Sequence, residues 1–362
     1  MALEPNSIQK GKFFLGKQNG SQTGLLFSQG KEGKHGMDTN ANLNTNSGSL
    51  TMPLLERAVI EINGGCNYTC QMCPQTNPKR PKGFLKKMPL SQFEDIVAQC
   101  AETGVKVVNL EGSGEPTLNR NLPRYVEIVR KYGAKPIVFS NGKNMRGDFM
   151  RDTVDAGLGH FRFSIIGYDR QTYRKWMDSP FFDLVVENAK QMRAYAKGKN
   201  CGVSTYHLIL DVDLEVIEVE AYKALFDDMD MEIWRMHNWS GVYSPEYARS
   251  GDIVGCGRPF SPDVVVRAGG NNGETGAVHP CCQVLGNDEA AVLGHLSQNT
   301  LAEIWNGKEY ENLRRKHKAK DFPDFCKKCD FLIKDAEVMV YTNMDRRLGN
   351  MLGTSVNLGD YK

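Results

Sequence analysis

Between residues 57 and 237 six short apolar runs recur, separated by stretches of helical period. The runs are RAVIEI (57–62), VKVVNL (105–110), AKPIVFS (134–140), HFRFSII (160–166), GVSTYHLIL (202–210) and MEIWRMH (231–237). Between them lie SQFEDIVAQCAETG, NLPRYVEIVRKYG, DFMRDTVDAGLG, the long TYRKWMDSPFFDLVVENAKQMRAYAKGK and EVIEVEAYKALFDDMD. These carry apolar residues three or four apart, and several end in Gly, as helices do. Six strands joined by five helical connections predict an α/β fold with a parallel sheet. Right-handed βα units of this kind curl into a full or partial barrel, and active sites gather at the C-terminal ends of its strands. The expected architecture is a partial (β/α)6 TIM-like barrel over residues 53–249.

The flanks read differently. Residues 1–52 are rich in Gly, Asn, Ser, Gln and Thr, with almost no apolar periodicity. That composition predicts a disordered extension. Translation from Met37 or Met52, or an extension folding back around Leu25–Phe27, are the other readings. Residues 250–335 hold short β-like pieces, one helix across LAEIWNGKEYENLRRKHKAK, and a knuckle-like DFPDFCKKCDFLI. They predict a small second domain held by cysteines rather than by a large core. Residues 336–362 read as a tail.

Of the 362 residues, 45 are Lys or Arg and 43 Asp or Glu, a net charge of +2. Nothing in that total calls for a nucleic-acid or membrane partner. No apolar run approaches the ~20 residues of a membrane span. MALEPNSIQKGKFF lacks the apolar region of a secretory signal, so a cytoplasmic location is expected. In a reducing compartment, clustered cysteines point to metal ligation rather than disulfides.

The chain has ten cysteines, and three of them form CNYTCQMC just after the first predicted strand: Cys66, Cys70 and Cys73. A cubane [4Fe–4S] cluster needs a ligand on each of four irons. Three local cysteines leave one iron open to a small chelating molecule. A Cys3His zinc site is the alternative, but it requires a nearby fourth ligand. The nearest downstream histidine is His160.

C-x3-C-x2-C after the first βα strand resembles the radical SAM superfamily. The resemblance implies that the open iron binds the amino and carboxylate groups of S-adenosylmethionine. One electron then yields a 5′-deoxyadenosyl radical, which abstracts a substrate hydrogen. A flavodoxin- or ferredoxin-type donor would supply that electron. GSGEP (112–116) resembles the family's glycine-rich motif for the methionine amino group, placing Gly112, Ser113, Gly114, Glu115 and Pro116 at the cofactor. Ser113 stands where a second glycine is usual. FSNG (139–142) and FSIIG (163–167) match strand ends that contact ribose and carboxylate, giving Ser140, Asn141 and Ser164. Ile166 stands where many relatives carry Asp. Met72 holds a place near the adenine that is often aromatic.

Cys256, Cys281 and the pair Cys326-x2-Cys329 suit zinc or a second iron–sulfur cluster. The run from Gly276 to Cys281, the helix after it and C-x2-C resemble the C-terminal SPASM/twitch extension of radical SAM enzymes. No cysteine follows Cys329, so the shortened twitch form with one auxiliary [4Fe–4S] cluster is implied, ligated by Cys256, Cys281, Cys326 and Cys329. Cys282 is the competing ligand, and the G-x4-C spacing favours Cys281. A fully ligated cluster suits electron transfer, with a structural role as the alternative.

Weaker signals remain. Arg235 and His237 share one face of the sixth strand and are candidates to hold substrate or move a proton. PKRPKGFLKK (78–87) reads as a solvated loop or as an attractor of anionic substrate. RRKHKAK (314–320) reads as helix surface. Cys100 and Cys201 read as small buried hydrophobes, with hydrogen-atom donation in an epimerase as the other role. The favoured reading is oxidation of a small polar molecule such as a sugar or aminocyclitol, the auxiliary cluster accepting an electron. The alternatives are cross-linking or epimerisation of a peptide, and a non-catalytic zinc-stabilised binding protein.

Overall fold

The computed structural model describes residues 54–76, 85–243, 251–269, 274–284, 289–334 and 339–344. They belong to the second of two units of the chain, Thr51–Lys362. The readings of 1–52, and most of the basic stretch 78–87, lie outside the described residues.

The six expected strands are present: β1 (Arg57–Ile60), β2 (Val107–Leu110), β3 (Lys135–Ser140), β4 (His160–Ser164), β5 (Gly202–Ile209) and β6 (Asp230–Arg235). Each pairs in parallel with its neighbour in chain order. The helices that carry the chain back are α1 (Leu90–Glu102), α2 (Leu122–Lys131), α3 (Gly147–Asp155), α4 (Arg170–Met177), α5 (Phe182–Ala196) and α6 (Glu215–Leu225). The buried stripe of α2, with Leu122, Tyr125, Val126 and Val129, illustrates how they cover the sheet.

The long fourth connection is two helices rather than one. A capping box of Asp169 and Thr172 starts α4. Asp178 then ends it in the left-handed region at φ 48°, followed by Ser179 and Pro180. The left-handed residue and the proline both stop a helix. The C-terminal helix is likewise split, into α7 (Leu301–Trp305) and α8 (Lys308–Lys318), by the extended backbone of Gly307.

The division into a barrel and a separate cysteine-held domain needs correction. β7 (Asp263–Arg267) lies parallel beside β1, and β8 (Ala277–His279) and β9 (Gly294–His295) continue antiparallel from it. At the opposite edge β10 (Met339–Thr342), inside the expected tail, pairs antiparallel with β6. The result is one unclosed ten-stranded sheet in the order β10-β6-β5-β4-β3-β2-β1-β7-β8-β9, a partial TIM-like barrel extended at both edges. Val264, Val266, Leu301, Ile304 and Trp305 share a hydrophobic cluster with α1, α2 and the barrel strands. Met344, just past β10, packs against Ile137 and Phe139 of β3 in a second, smaller cluster.

RRKHKAK is not a uniform surface run. Arg314 and His317 are buried; Arg314 donates to Pro259 O at 3.0 Å and Trp305 O at 2.9 Å. Among the described residues no helix is long and apolar enough to cross a membrane.

Because the two segments share a core, Leu301→Ala is expected to destabilise the whole unit by about 2–5 kcal/mol. The loss should appear in denaturant unfolding as a shift of a single transition. An early separate transition, with barrel unfolding unchanged, would contradict the shared core.

Candidate active site

The cysteine loop begins where β1 ends, and a set of hydrogen bonds holds it at the mouth of the barrel. Asn63 Nδ2 donates to Gly65 O and to Glu115 O, both at 2.8 Å. Glu115 N donates to Gly65 O at 2.7 Å. Farther along the loop, Gln71 N donates to Trp176 O at 3.0 Å and Thr69 Oγ1 to Asp178 Oδ2 at 2.6 Å. The break between α4 and α5 thus gives the loop its seat. Tyr68 and Tyr173 add a hydroxyl contact at 3.1 Å.

The GSGEP turn after β2 presses directly on this loop. A Cβ on Gly114 would lie 1.9 Å from Asn63 O, so no larger residue fits without moving backbone. Ser113, in the place of a usual glycine, is accommodated because its hydroxyl donates to Glu61 Oε2 at 2.7 Å. Glu115 is buried and accepts four hydrogen bonds. Thr117 N (2.9 Å), Thr117 Oγ1 (2.6 Å) and Ser140 Oγ (2.7 Å) meet Oε1, and Asn141 N (2.9 Å) meets Oε2. Burial pushes its pKa up, and these donors partly offset that rise. Its carboxylate therefore ties the end of β2 to the end of β3.

Above these turns lies a cavity of about 320 Å³. Of the residues singled out from the sequence, Cys66, Cys70, Cys73, Met72, Gly112, Ser113, Gly114, Glu115, Ser140, Asn141, Ser164 and His237 all line it. Pro116 and Arg235 are not in its lining. Pro116 is buried in a 3-10 turn behind the wall. Arg235 is the clearer correction: it clasps Glu215 of α6 through Nε at 2.6 Å and Nη2 at 2.9 Å. That pair holds α6 to the end of β6, a positioning role outside the cavity. His237 stays on the wall, its ring against Trp239 and Phe331 and its Nδ1 accepting from Trp239 N at 3.3 Å. In a neutral ring that bond assigns the proton to Nε2.

The three loop thiols crowd one another. Cys66 is reachable from the cavity but hemmed in, and burial, then Glu115, push its pKa up to about 12. Burial and the other two thiols hold Cys70 well above its ordinary value. Three such thiols ionise together only when positive ions lie among them. His160 does not supply a fourth ligand. It is buried at the N-terminal end of β4, bonded to Ser204 Oγ at 2.7 Å, and absent from the cavity. Cys100 and Cys201 are absent from it too.

A second pocket holds the remaining set. Cys256, Cys281, Cys326 and Cys329 line it together with Arg258, His317 and Phe331. Cys326 N donates to Pro323 O at 2.8 Å and Cys329 N to Cys326 O at 2.8 Å, the tight turn that brings the C-x2-C thiols together. Burial lifts the thiols, Cys281 to about 11 and Cys329 to about 12. Cys281 lines both pockets, whereas Cys282 lines the large cavity alone and accepts from Arg258 Nη1 at 3.4 Å. Among the described residues no three His, Cys, Asp or Glu side chains close around a single point. A cubane binds its thiolates through separate irons and asks for a wider cradle than one ion does.

Sequence reasoning missed much of the cavity floor. Asn109 and Glu111 of the β2 end, Arg162 of β4, Tyr206 of β5 and Trp234 of β6 all face it. The available signal was alternation. Polar residues two apart in an otherwise apolar strand mark the inward face.

The radical SAM superfamily pattern matches residues 60–219, and that of a SPASM iron–sulfur cluster-binding domain matches residues 273–330. The chain is 22% identical over 278 residues to the S-adenosyl-L-methionine-dependent 2-deoxy-scyllo-inosamine dehydrogenase of Niallia circulans, covering 75% of this chain and 91% of that one. It is 26% identical over 140 residues to a probable GTP 3′,8-cyclase of Sulfolobus acidocaldarius, spanning 38% of this chain and 43% of the cyclase. Among solved structures, BtrN in complex with AdoMet and 2-DOIA superposes with a TM-score of 0.56 at 20% identity, over 81% of this chain and all of that one. Streptococcus suis SuiB bound to precursor peptide SuiA gives 0.56 at 16% identity, over 73% of this chain and 67% of that one.

Gly114→Ala should force the cysteine loop and the β2 turn apart, at a cost of about 1–3 kcal/mol or more. Gly65→Ala, with nothing within 4 Å of the added Cβ, should change stability far less. Denaturant midpoints and S-adenosylmethionine affinity of the two variants check this; equal behaviour would refute the contact.

Proposed function

The chain belongs to the radical SAM superfamily and carries a SPASM-type iron–sulfur domain; from that premise we propose that it oxidises an alcohol on a small polar molecule, a sugar or aminocyclitol. The observation that carries this reading is the position of Cys281. It borders both the large cavity and the four-cysteine pocket, so a substrate in the cavity lies beside the place of an electron acceptor. The dehydrogenase from Niallia circulans, matched over 91% of its length, supports it; the cyclases match over less than half of theirs.

In this reading Cys66, Cys70 and Cys73 hold a [4Fe–4S] cluster with one open iron. Gly112, Ser113, Gly114, Ser140, Asn141, Ser164 and Met72 surround S-adenosylmethionine. Cys256, Cys281, Cys326 and Cys329 hold a closed auxiliary cluster. When bound, these groups supply one-electron hydrogen-atom abstraction at one cluster and an electron sink at the other. The chain's own part is to place and shield. Glu115 fixes Ser140 and Asn141 through its hydrogen bonds, and Asn141 Nδ2 in turn donates to Asn67 Oδ1 of the cysteine loop at 2.9 Å, so these strand ends hold one shape around the cofactor's place. His237 presents a ring to the cavity wall beside Trp239. A flavodoxin- or ferredoxin-type donor delivers the first electron. Cys100 and Cys201 stand outside the cavity, which weighs against either as a hydrogen-atom donor in epimerisation.

Anaerobically reconstituted protein should carry about eight irons per chain, four for each cubane. Cys66→Ala, Cys70→Ala or Cys73→Ala should abolish formation of 5′-deoxyadenosine. Cys326→Ala, Cys329→Ala and Cys281→Ala should retain about half the iron and cleave S-adenosylmethionine, but lose oxidised product from 2-deoxy-scyllo-inosamine or a related amino polyol. Cys282→Ala should keep its iron. Unimpaired oxidation by Cys326→Ala would sink the electron-acceptor role, and zinc in place of iron would sink the whole reading.

A further inference from the structure

The floor of the large cavity holds buried charges that do not balance. Arg57 of β1 pairs with Asp263 of β7. Arg162 of β4 pairs with Glu232 of β6 at 2.7 Å, and its guanidinium lies 3.5 Å from the Phe139 ring centre and 4.5 Å from that of Tyr206. Arg267 of β7 reaches Glu61 at 3.4 Å. Glu111, just past β2, is the odd carboxylate. Arg162, Arg57 and Arg267 all stand near enough to act on it, but each is engaged with a carboxylate of its own. Among the described residues, Glu111 receives a single long hydrogen bond, 3.5 Å from Asn109 Nδ2. Burial holds its pKa up in spite of the three guanidiniums. Glu115 and Arg258 do not alter this count. The first is met by four hydrogen-bond donors of the chain, and the second leans on the thiol of Cys282.

The cavity lining that includes Glu111 also carries buried polar atoms with no partner: Asn109 Oδ1, Arg162 Nε and Trp234 Nε1. Asn109 is 1% and Trp234 7% exposed. Buried polar atoms are ordinarily hydrogen-bonded, and three orphans on one cavity wall mark a place for a polar ligand.

We propose that Glu111 is the counter-ion for a protonated amine on the substrate, with Asn109 Oδ1, Arg162 Nε and Trp234 Nε1 reading hydroxyl groups beside it. This rests on the reading of the cavity as the substrate site and adds the class: a small amine that also carries hydroxyls. The floor offers both acceptors and donors, which suits hydroxyls. Its unbalanced charge is negative, which suits an ammonium. A phosphate or carboxylate would meet Glu111 and find the nearby guanidiniums already engaged.

The test is calorimetric binding to reconstituted holoenzyme with S-adenosylmethionine and no reductant, so that nothing turns over. The probes are 2-deoxy-scyllo-inosamine, the polyol with hydroxyl in place of its amine, Nα-acetyl-lysine amide, and glucose 6-phosphate. Wild type should prefer an amine to the uncharged polyol. Glu111→Gln should weaken amine binding by about 10- to 100-fold and change polyol binding by less than about threefold. Glu111→Asp, which keeps the charge, should keep the preference for the amine. Failure of wild type to bind either amine, equal loss of amine and polyol in Glu111→Gln, tightest binding of the sugar phosphate, or a loss of S-adenosylmethionine affinity in Glu111→Gln would each overturn the assignment. If the lysine derivative alone binds and its binding depends on Glu111, the counter-ion role stands and the small-molecule reading of the enzyme falls.

Discussion

The carboxylate of Glu115 is the joint on which the rest of the site depends. It is buried, and its four hydrogen bonds run to the turn after β2 and to the end of β3. The backbone of the same residue is bonded to the cysteine loop on both sides, through Gly65 and Asn63. A buried carboxylate is expensive unless satisfied by donors, and satisfying it obliges the ends of β2 and β3 to meet at fixed positions, while the backbone of the same residue fixes the loop after β1. The cysteine triplet inherits its place from that requirement. Gly114 completes it, because only a residue without Cβ lets the two backbones approach.

The second constraint is continuity of the sheet. β7 pairs in register with all four residues of β1, so the segment carrying the later cysteines is not an appendage. Alternation along β7 turns Asp263, Val265 and Arg267 toward the cavity, while Val264 and Val266 join the outer core. The cavity is therefore built by both halves of the chain. That explains how Cys281 reaches it, and why Arg57 at the foot of β1 finds its partner more than two hundred residues away in Asp263.

The sequence revealed the barrel because periodicity in βα units is local and strong. Five of the six strands lie within their expected runs, and β6 begins one residue earlier, at Asp230. The cysteine sets, GSGEP and the serine strand ends were legible for a different reason: the chemistry of a cofactor demands particular residue types at particular spacings. What was illegible depends on long-range pairing. Nothing local announces that DVVVR joins β1, or that Met339–Thr342 joins β6. Arg235 misled because strand parity placed it with His237, whereas the bidentate bond to Glu215 of α6 draws it outside. RRKHKAK misled because a run of charge looks solvated, yet Arg314 satisfies two carbonyls while stacking on Trp305. A guanidinium is buried readily where its planar face is covered and its N–H groups are met.

The inner face of the barrel sets apolar and charged groups side by side. Val107, Ile137 and Phe139 meet Met344 in a small apolar cluster. In the strand register Val107 stands beside Arg57 and Phe139 beside Arg162, so the paired arginines and carboxylates adjoin this cluster, and Glu111 and the thiols share the cavity with them. Ion pairs so placed add little net stability, since desolvation offsets most of their attraction. Their use is in fixing geometry: each of the three guanidiniums is held to a carboxylate other than Glu111. A charge left over in so constrained a place keeps its capacity to select a ligand. At Cys281 and Cys282 the two adjacent thiols both line the large cavity, and of the two Cys281 alone also lines the four-cysteine pocket.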